Sequence, residues 1–312
     1  MLQTGIYKLS QIKNYSKFKD FFGNDKKVSI TLYDQITNEP NADKLAERIL
    51  LSFSDERGAY KRTYSNRFED FDYQVEKFLF KHFNKNDSII IQDVAISDGR
   101  TAIDFFRRIS IFFPNIIFYA SDYNPKVYII EQKNIKITLS NTYKILEIVW
   151  PPFVFAYMYD KSKQRQRYLF NFLILAWIKL FKVAPLLKSY YNGKVKAREL
   201  LLFSPNALDL SKQDNRFHLL QYDLLEPFKY KTHIIRAMNV LSTYNFSDKE
   251  FKCVLNNIYD GLWDKGFLVT GSNRDPGSDV YGGIYQKTDK GFIKVWQSKY
   301  TSPVEDYILY SK

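Results

Sequence analysis

Residues 88–124 read SIIIQDVAISDGRTAIDFFRRISIFFPNIIFYASDYN, and the order of patterns within them decides the fold class. A β-rich run, SIIIQDVAI, closes at SDG; TAIDFFRRISIFF follows with apolar residues at helical spacing; NIIFYASD is a second apolar run ending on an acidic residue. Strand, turn, helix and strand in that order make a βαβ unit, which implies a parallel sheet with helices on its faces.

Downstream the alternation resumes with FHLLQYDLL, HIIRAMNVLS, the helical stretch SDKEFKCVLNNIYDGLW and the run GFLVTGSN. Two further strands, GGIYQKT and GFIKVWQS, flank the turn DKG and predict an antiparallel hairpin at the end of the sheet. Upstream, residues 1–84 read as a mainly helical cap, with Phe71, Val75, Phe78, Leu79 and Phe83 near the spacing of one helix face. The expected organisation is therefore an N-terminal helical segment over 1–84 and a catalytic-type α/β domain over 85–312, interrupted by a large helical insertion at about 124–215.

That insertion is much longer than a crossover helix requires. It carries VWPPFVFAYMY, the basic run KSKQRQR, the apolar run YLFNFLILAWI and then KLFKVAPLLK. Neither apolar run alone reaches the roughly 20 residues that cross a bilayer, so a helical lid is the first expectation. Lys and Arg flanking apolar residues, with Trp150 and Trp177 nearby, also suit a peripheral membrane contact through 150–190.

Composition narrows the class. Apolar residues make up 45% of 312, with 12 Gly and 10 Pro, which excludes a disordered or fibrous chain. The one cysteine, Cys253, excludes an internal disulfide and a cysteine metal cluster, so no metal site is expected and a reducing, cytoplasmic compartment fits. The N-terminal residues lack the apolar core of a secretory signal. The net charge is +12, and residues 151–200 hold ten Lys or Arg against Asp160 and Glu199, two thirds of the excess. This points to a local electropositive segment and an anionic partner.

The chemistry concentrates at strand ends. A nucleoside cofactor lying over the carboxyl end of a strand needs small residues there so that backbone can approach it. In Asp93-Val94-Ala95-Ile96-Ser97-Asp98-Gly99, the residues Ala95, Ser97 and Gly99 hold the spacing of the usual three glycines. Asp122, 23 residues beyond Gly99, ends the second strand where a carboxylate can accept ribose hydroxyls, with Tyr123 beside it. Asp223, after the third strand, can accept an adenine amine while Tyr222 or Leu224 packs on the ring. Arg236 and Asn239 close the next strand near the switch point of the sheet, where ligand-facing groups gather. Each of these positions also has a plain structural reading as a turn, cap or hydrogen-bonding residue.

DVAISDGRT, YASDYN, QYDLLEPF, IIRAMNVLSTYNFSDKEF and LWDKGFLVTGSN, in that order, resemble the successive motifs of class I S-adenosylmethionine-dependent methyltransferases, which have a Rossmann-like sheet. The similarity is to bacterial small-molecule enzymes and, more distantly, to chemotaxis-receptor methyltransferases. It implies S-adenosylmethionine as cofactor, with Asp93, Ala95, Ser97 and Gly99 lining its methionine part, Asp122 at its ribose and Asp223 at its adenine; Asp98, Tyr123 and Leu224 are further candidates for the cofactor site. Arg236 and Asn239 would complete the site. Ala95 and Ser97 depart from the family's glycines.

Methyl transfer from a sulfonium needs alignment more than a conspicuous triad. No catalytic residue is therefore assigned: Tyr123, Tyr244 and Asp98 are possible bases, and His82, His218 and His233 read as structural. The acceptor is expected to be a small or lipid-like molecule. The competing readings are a catalytically degenerate scaffold, suggested by the two missing glycines, and an RNA methyltransferase, suggested by the basic cluster but without a recognised RNA-binding motif. An NAD-dependent oxidoreductase fits the terminal hairpin poorly.

Overall fold

The computed structural model describes residues 4–13, 26–56, 61, 63–156, 169–273 and 278–310. In chain order the strands are β1 (Ile89–Val94), β2 (Ile116–Asp122), β3 (Lys126–Gln132), β4 (Ile135–Leu139), β5 (Ile145–Trp150), β6 (Phe153–Ala156), β7 (Arg198–Leu201), β8 (Phe217–Gln221), β9 (Thr232–Met238), β10 (Leu262–Ser272), β11 (Tyr281–Thr288) and β12 (Gly291–Gln297). The helices are α1 (Leu9–Lys13), α2 (Ala42–Ser52), α3 (Glu69–His82), α4 (Arg100–Ser110), α5 (Leu169–Ile178), α6 (Ala184–Tyr191), α7 (Pro205–Gln213), α8 (Asp248–Gly261) and α9 (Glu305–Leu309). The chain forms two units, one of Thr63–Pro125 with Asn206–Lys312, the other of Met1–Arg62 with Lys126–Pro205.

The first unit is built on a seven-stranded sheet ordered β12-β11-β10-β9-β1-β2-β8. β10, β9, β1, β2 and β8 are parallel, and β11 and β12 close one edge as an antiparallel hairpin. From β1 the chain winds outward through β2 to β8, then returns to β9 on the other side of β1. The sheet is thus Rossmann-like, with its topological switch point between β1 and β9.

Side-chain alternation along β9 shows both faces covered. Ile235 and Ala237 pack with Phe251, Val254, Leu255 and Ile258 of α8. Between them, Arg236 points to the opposite face, where it meets Asp72 of α3 and lies 4.9 Å from the Phe105 ring of α4. On that face Phe106, Phe118 and Phe217 form a ring cluster with centroids 5.1–5.6 Å apart, which ties α4 to β2 and β8. A capping box in which Ser247 and Glu250 satisfy each other's backbone amides fixes the start of α8.

The second unit differs from the expected organisation. The segment read as a helical lid contains a five-stranded antiparallel sheet, β6-β5-β4-β3-β7, as well as helices. The physical reason is legible in β3: Val127 and Ile129 enter one core while Tyr128 and Ile130 face another, a period of two that no helix can use. The N-terminal segment does not form a single cap with α3. Ile6, Ile30, Leu32, Ile49 and Leu50 pack on the Val127 face of this sheet, whereas α3 belongs to the first unit. Gly5 is required here, because a Cβ would lie 2.3 Å from Val154 Cγ2.

On the other face, α5, the wide π turn Lys179–Val183 and α6 run on as one helix, Phe170–Tyr191. The run YLFNFLILAWI, too short by itself to cross a bilayer, is thus continued by KLFKVAPLLK. Among the described residues this is one helix long and apolar enough to do so by length and composition. The basic run KSKQRQR, residues 161–167, lies outside the described residues.

Candidate functional site

The carboxyl ends of the parallel strands meet at one edge of the first unit. Val94 is in register with Ser121 and with Ala237, Asp122 with Gln221, and Met238 with Gly271. The loop after β1 is drawn onto this edge by two hydrogen bonds. Ile96 N–H donates to Ser121 O at 3.1 Å, extending the ladder, and Ser97 N–H donates to Asp122 Oδ2 at 2.8 Å. The other oxygen of Asp122 accepts Asn124 N–H at 3.1 Å.

Ala95, Ser97 and Gly99 all occupy the left-handed region, with φ of 57°, 62° and 91°. These are the positions that hold the spacing of three glycines, so the loop keeps a glycine backbone with two side chains added. Each non-glycine residue there costs about 1–2 kcal/mol relative to its right-handed form, a strain found most often at functional sites. Gly99 sits at the start of α4, and a Cβ on it would lie 3.0 Å from Ala207 Cβ.

The other residues expected in the site divide into two groups. Asp122, Tyr123 and Asp223 are half-buried at the edge. Asp223 Oδ1 accepts Leu225 N–H at 3.0 Å in a tight turn, and Gln221 Nε2 donates to Tyr123 O at 3.3 Å. Leu224 is nearly buried, packed in the α8 core rather than presented as a platform for a ring.

Asp93, Asp98 and Arg236 require correction, because all three are buried at 2% exposure or less. Asp98 is ion-paired with Arg100, and its Oδ1 accepts Arg100 N–H, so it braces the loop from beneath instead of lining a ligand or serving as a base. Arg236 donates to Asp93 Oδ2 at 2.7 Å and to both oxygens of Asp72 at 2.9 and 3.1 Å. It joins β9, β1 and α3 under the site and cannot hold an external phosphate or carboxylate. Burial pushes Asp72 and Asp93 each up to about 6, against the pull of the shared guanidinium. One cation facing two carboxyls neutralises one of them, so the pair titrates as a unit, with its higher step displaced upward.

Asn239 also takes the left-handed region, at φ 58°, and its side chain is used between strands. Its Oδ1 accepts Asn273 N–H at 2.8 Å and its Nδ2 donates to Asn273 Oδ1 at 3.3 Å. Arg67 adds a third member, donating through Nε to Asn273 Oδ1 at 2.9 Å and through Nη2 to Asn273 O at 3.2 Å. Beside this junction is a cavity of about 450 Å³ whose walls include Phe68, Phe71 and Trp296 together with Glu69, Asp70 and Lys299.

Arg67, Asn273 and Asp72 were not identified from sequence. For Asp72 a signal existed: it lies on the buried face of α3 with Phe71, Val75, Phe78 and Leu79, and a carboxylate in such a row needs a cation. The histidines have packing and hydrogen-bonding roles. His233 Nδ1 accepts Ile90 N–H at 3.0 Å at the amino end of β9, His82 stacks on Phe78, and His218 packs on Tyr119. Tyr244 is 96% exposed.

No protein-family model matches the chain, and no curated protein is similar to it in sequence. Among solved structures the chain is similar to the CMeT domain of the citrinin polyketide synthase, at 13% identity over 78% of this chain and 42% of that one, with a TM-score of 0.34. It is similar to the mitomycin 7-O-methyltransferase MmcR at 11% identity, covering 86% of this chain and 50% of that one, with a TM-score of 0.33. It is also similar to the N-methyltransferase NodS from Bradyrhizobium japonicum WM9, solved with S-adenosyl-L-homocysteine, at 11% identity over 75% and 74% of the two chains, with a TM-score of 0.34. The chain thus spans half the length or less of the first two. The sheet order, with its switch point and terminal hairpin, makes this chain a Rossmann-like α/β protein.

Proposed function

We propose that the first unit binds S-adenosylmethionine along the carboxyl edge of β1, β2 and β8 and transfers its methyl group to a small acceptor. The observation that carries this reading is the loop Ala95–Gly99, which holds three left-handed residues in alternation and is tied through Ser97 N–H to the carboxylate of Asp122. Strain of this kind persists only where surrounding structure imposes it. The chain-order resemblance of its motifs to class I methyltransferases points the same way.

The residues fit such a cofactor unevenly. Asp122 lies half-buried at the edge, where its carboxylate accepts the Ser97 and Asn124 amides and ends the strand at which a ribose would lie in this reading. Asp223 and Tyr123 lie on the same edge, while Asp93, Asp98 and Arg236 support the site from below. When bound, the sulfonium supplies an already activated methyl group. The protein's part is then to orient donor and acceptor and to exclude water. The cavity bounded by Phe68, Phe71 and Trp296 has a volume in the range of small-molecule sites and is joined to β9 and β10 through Arg67 and Asn273, so it is the acceptor pocket in this reading.

Calorimetric titration with S-adenosylmethionine and S-adenosylhomocysteine tests the proposal. Micromolar binding is expected, weakened roughly ten- to hundredfold in Asp122→Ala, the loss for a charge-assisted hydrogen-bonding group. Failure of the folded protein to bind either compound would sink it and leave a scaffold that keeps the fold alone.

A further inference from the structure

We infer that the helix Phe170–Tyr191 docks its unit on an anionic membrane surface, lying in the plane of the interface. The inference is independent of the methyl-transfer reading, since it concerns the other unit.

The helix has 22 residues; its most apolar 18-residue window has a mean hydropathy of 1.7 and is only 28% buried. One side is seated: Leu175, Ile178, Val183 and Leu186 enter the core formed with Ile137, Ile148 and Phe155 of the five-stranded sheet. The opposite side carries Phe170, Leu173, Trp177, Leu180 and Phe181, which are 45–65% exposed. They recur every three or four residues, so they form one continuous stripe over the outer surface. A soluble surface helix is apolar on its inner face alone and polar on its outer one. Contiguous exposed apolar surface of this kind marks a binding face.

The π turn Lys179–Val183 contributes to the pattern. Regular α-helical spacing from Leu175 and Ile178 would turn Lys182 inward. The wider turn moves Val183 into the core instead and leaves Lys182 exposed, its Nζ 5.5 Å from the Trp177 ring.

Charge decides the occupant. Residues 170–191 contain Lys179, Lys182 and Lys188 and no acidic residue, and Lys194 and Lys196 follow. All five lysines are exposed. A second copy placed face to face on this stripe would set lysines against lysines. Anionic headgroups complement them, with long lysine stems and an indole at the apolar–polar boundary. The seated face also argues for lying on the membrane over crossing it. A spanning helix would have to surrender the contacts of Leu175, Ile178, Val183 and Leu186 with the sheet.

The test is flotation of the full chain with phosphatidylcholine vesicles, with and without phosphatidylserine, at low and high salt. The wild-type protein is expected to float with phosphatidylserine vesicles at low salt and much less at high salt. Leu173→Glu with Leu180→Glu, both at exposed positions, is expected to abolish flotation while circular dichroism is unchanged. Lys179→Gln with Lys182→Gln and Lys188→Gln should weaken it by roughly a hundredfold, about fivefold for each lysine removed. No flotation at low salt, or equal flotation on both lipids, would overturn the inference. So would a concentration-dependent dimer, by analytical ultracentrifugation, that Leu180→Glu dissolves.

Discussion

Ala95→Gly probes the loop at the centre of the proposed site, because two competing terms give its effect a definite sign. Ala95 is half-buried and held at φ 57°, a conformation that costs an L-residue about 1–2 kcal/mol and glycine almost nothing. Glycine also widens the unfolded ensemble, which costs about 0.4–1 kcal/mol. The net expectation is stabilisation of about 0.5–1 kcal/mol, with little packing lost because only one half-exposed methyl is removed. Urea unfolding followed by far-ultraviolet circular dichroism measures it, provided that the m-value is unchanged. Ala102→Gly is the control: Ala102 is fully buried inside α4, where glycine costs about 1 kcal/mol or more. If Ala95→Gly destabilises the protein as the control does, the left-handed loop is wrong and the site loses its main support. If the loop is right, removing this Cβ from the edge should also tighten S-adenosylhomocysteine binding severalfold.

Glu147 gives the clearest pH dependence. It is buried on β5, accepting from Ser29 Oγ at 2.8 Å and Ile30 N–H at 3.2 Å, and burial pushes it up to about 7 from a usual 4.5. Because the folded form binds the proton more tightly, its contribution to stability is complete below about pH 4.5. It is lost as pH rises toward 7, by an amount on the order of 3 kcal/mol. Glu147→Gln can keep both bonds, with Oε1 on the Ile30 amide and Nε2 on Ser29 Oγ, so thermal unfolding across that range should lose most of its slope; an unaltered slope would assign the dependence to other groups. Arg236→Met leaves Asp72 and Asp93 facing each other without a cation and is expected to cost about 3–5 kcal/mol in chemical denaturation. Adding Asp72→Asn and Asp93→Asn should restore part of that loss, and no recovery would show that the arginine acts by packing alone. Asn273→Ala removes the side-chain oxygen that accepts from Arg67 Nε and Asn239 Nδ2, leaving the backbone contacts of both, and is expected to change acceptor KM more than cofactor Kd in steady-state assays; a loss confined to cofactor binding would separate the cavity from the acceptor.

Several elements were legible in the chain itself. The βαβ unit over residues 88–122, the later parallel strands and the terminal hairpin follow from local periodicity and turn residues, which act over a few positions. The same locality made Ala95, Ser97 and Gly99 recognisable by spacing, and the structure adds that all three share the left-handed backbone. The β3–β5 run also carried a period-two signal, Val127 and Ile129 against Tyr128 and Ile130, which its length and apolar character obscured.

What local pattern determines is which segments become strands or helices and which residues stand at strand ends. It does not determine which buried charges meet. Asp72, Asp93 and Arg236 come from α3, β1 and β9, with 143 and 164 residues separating the arginine from its two partners. Only the register of β1 with β9 and the seating of α3 convert Arg236 from an apparent ligand-binding group into a buried brace. The outer stripe of Phe170–Tyr191 is likewise a tertiary property. Sequence shows that the run is apolar; which side is left in water depends on the sheet it packs against and on the π turn that rotates Val183 inward.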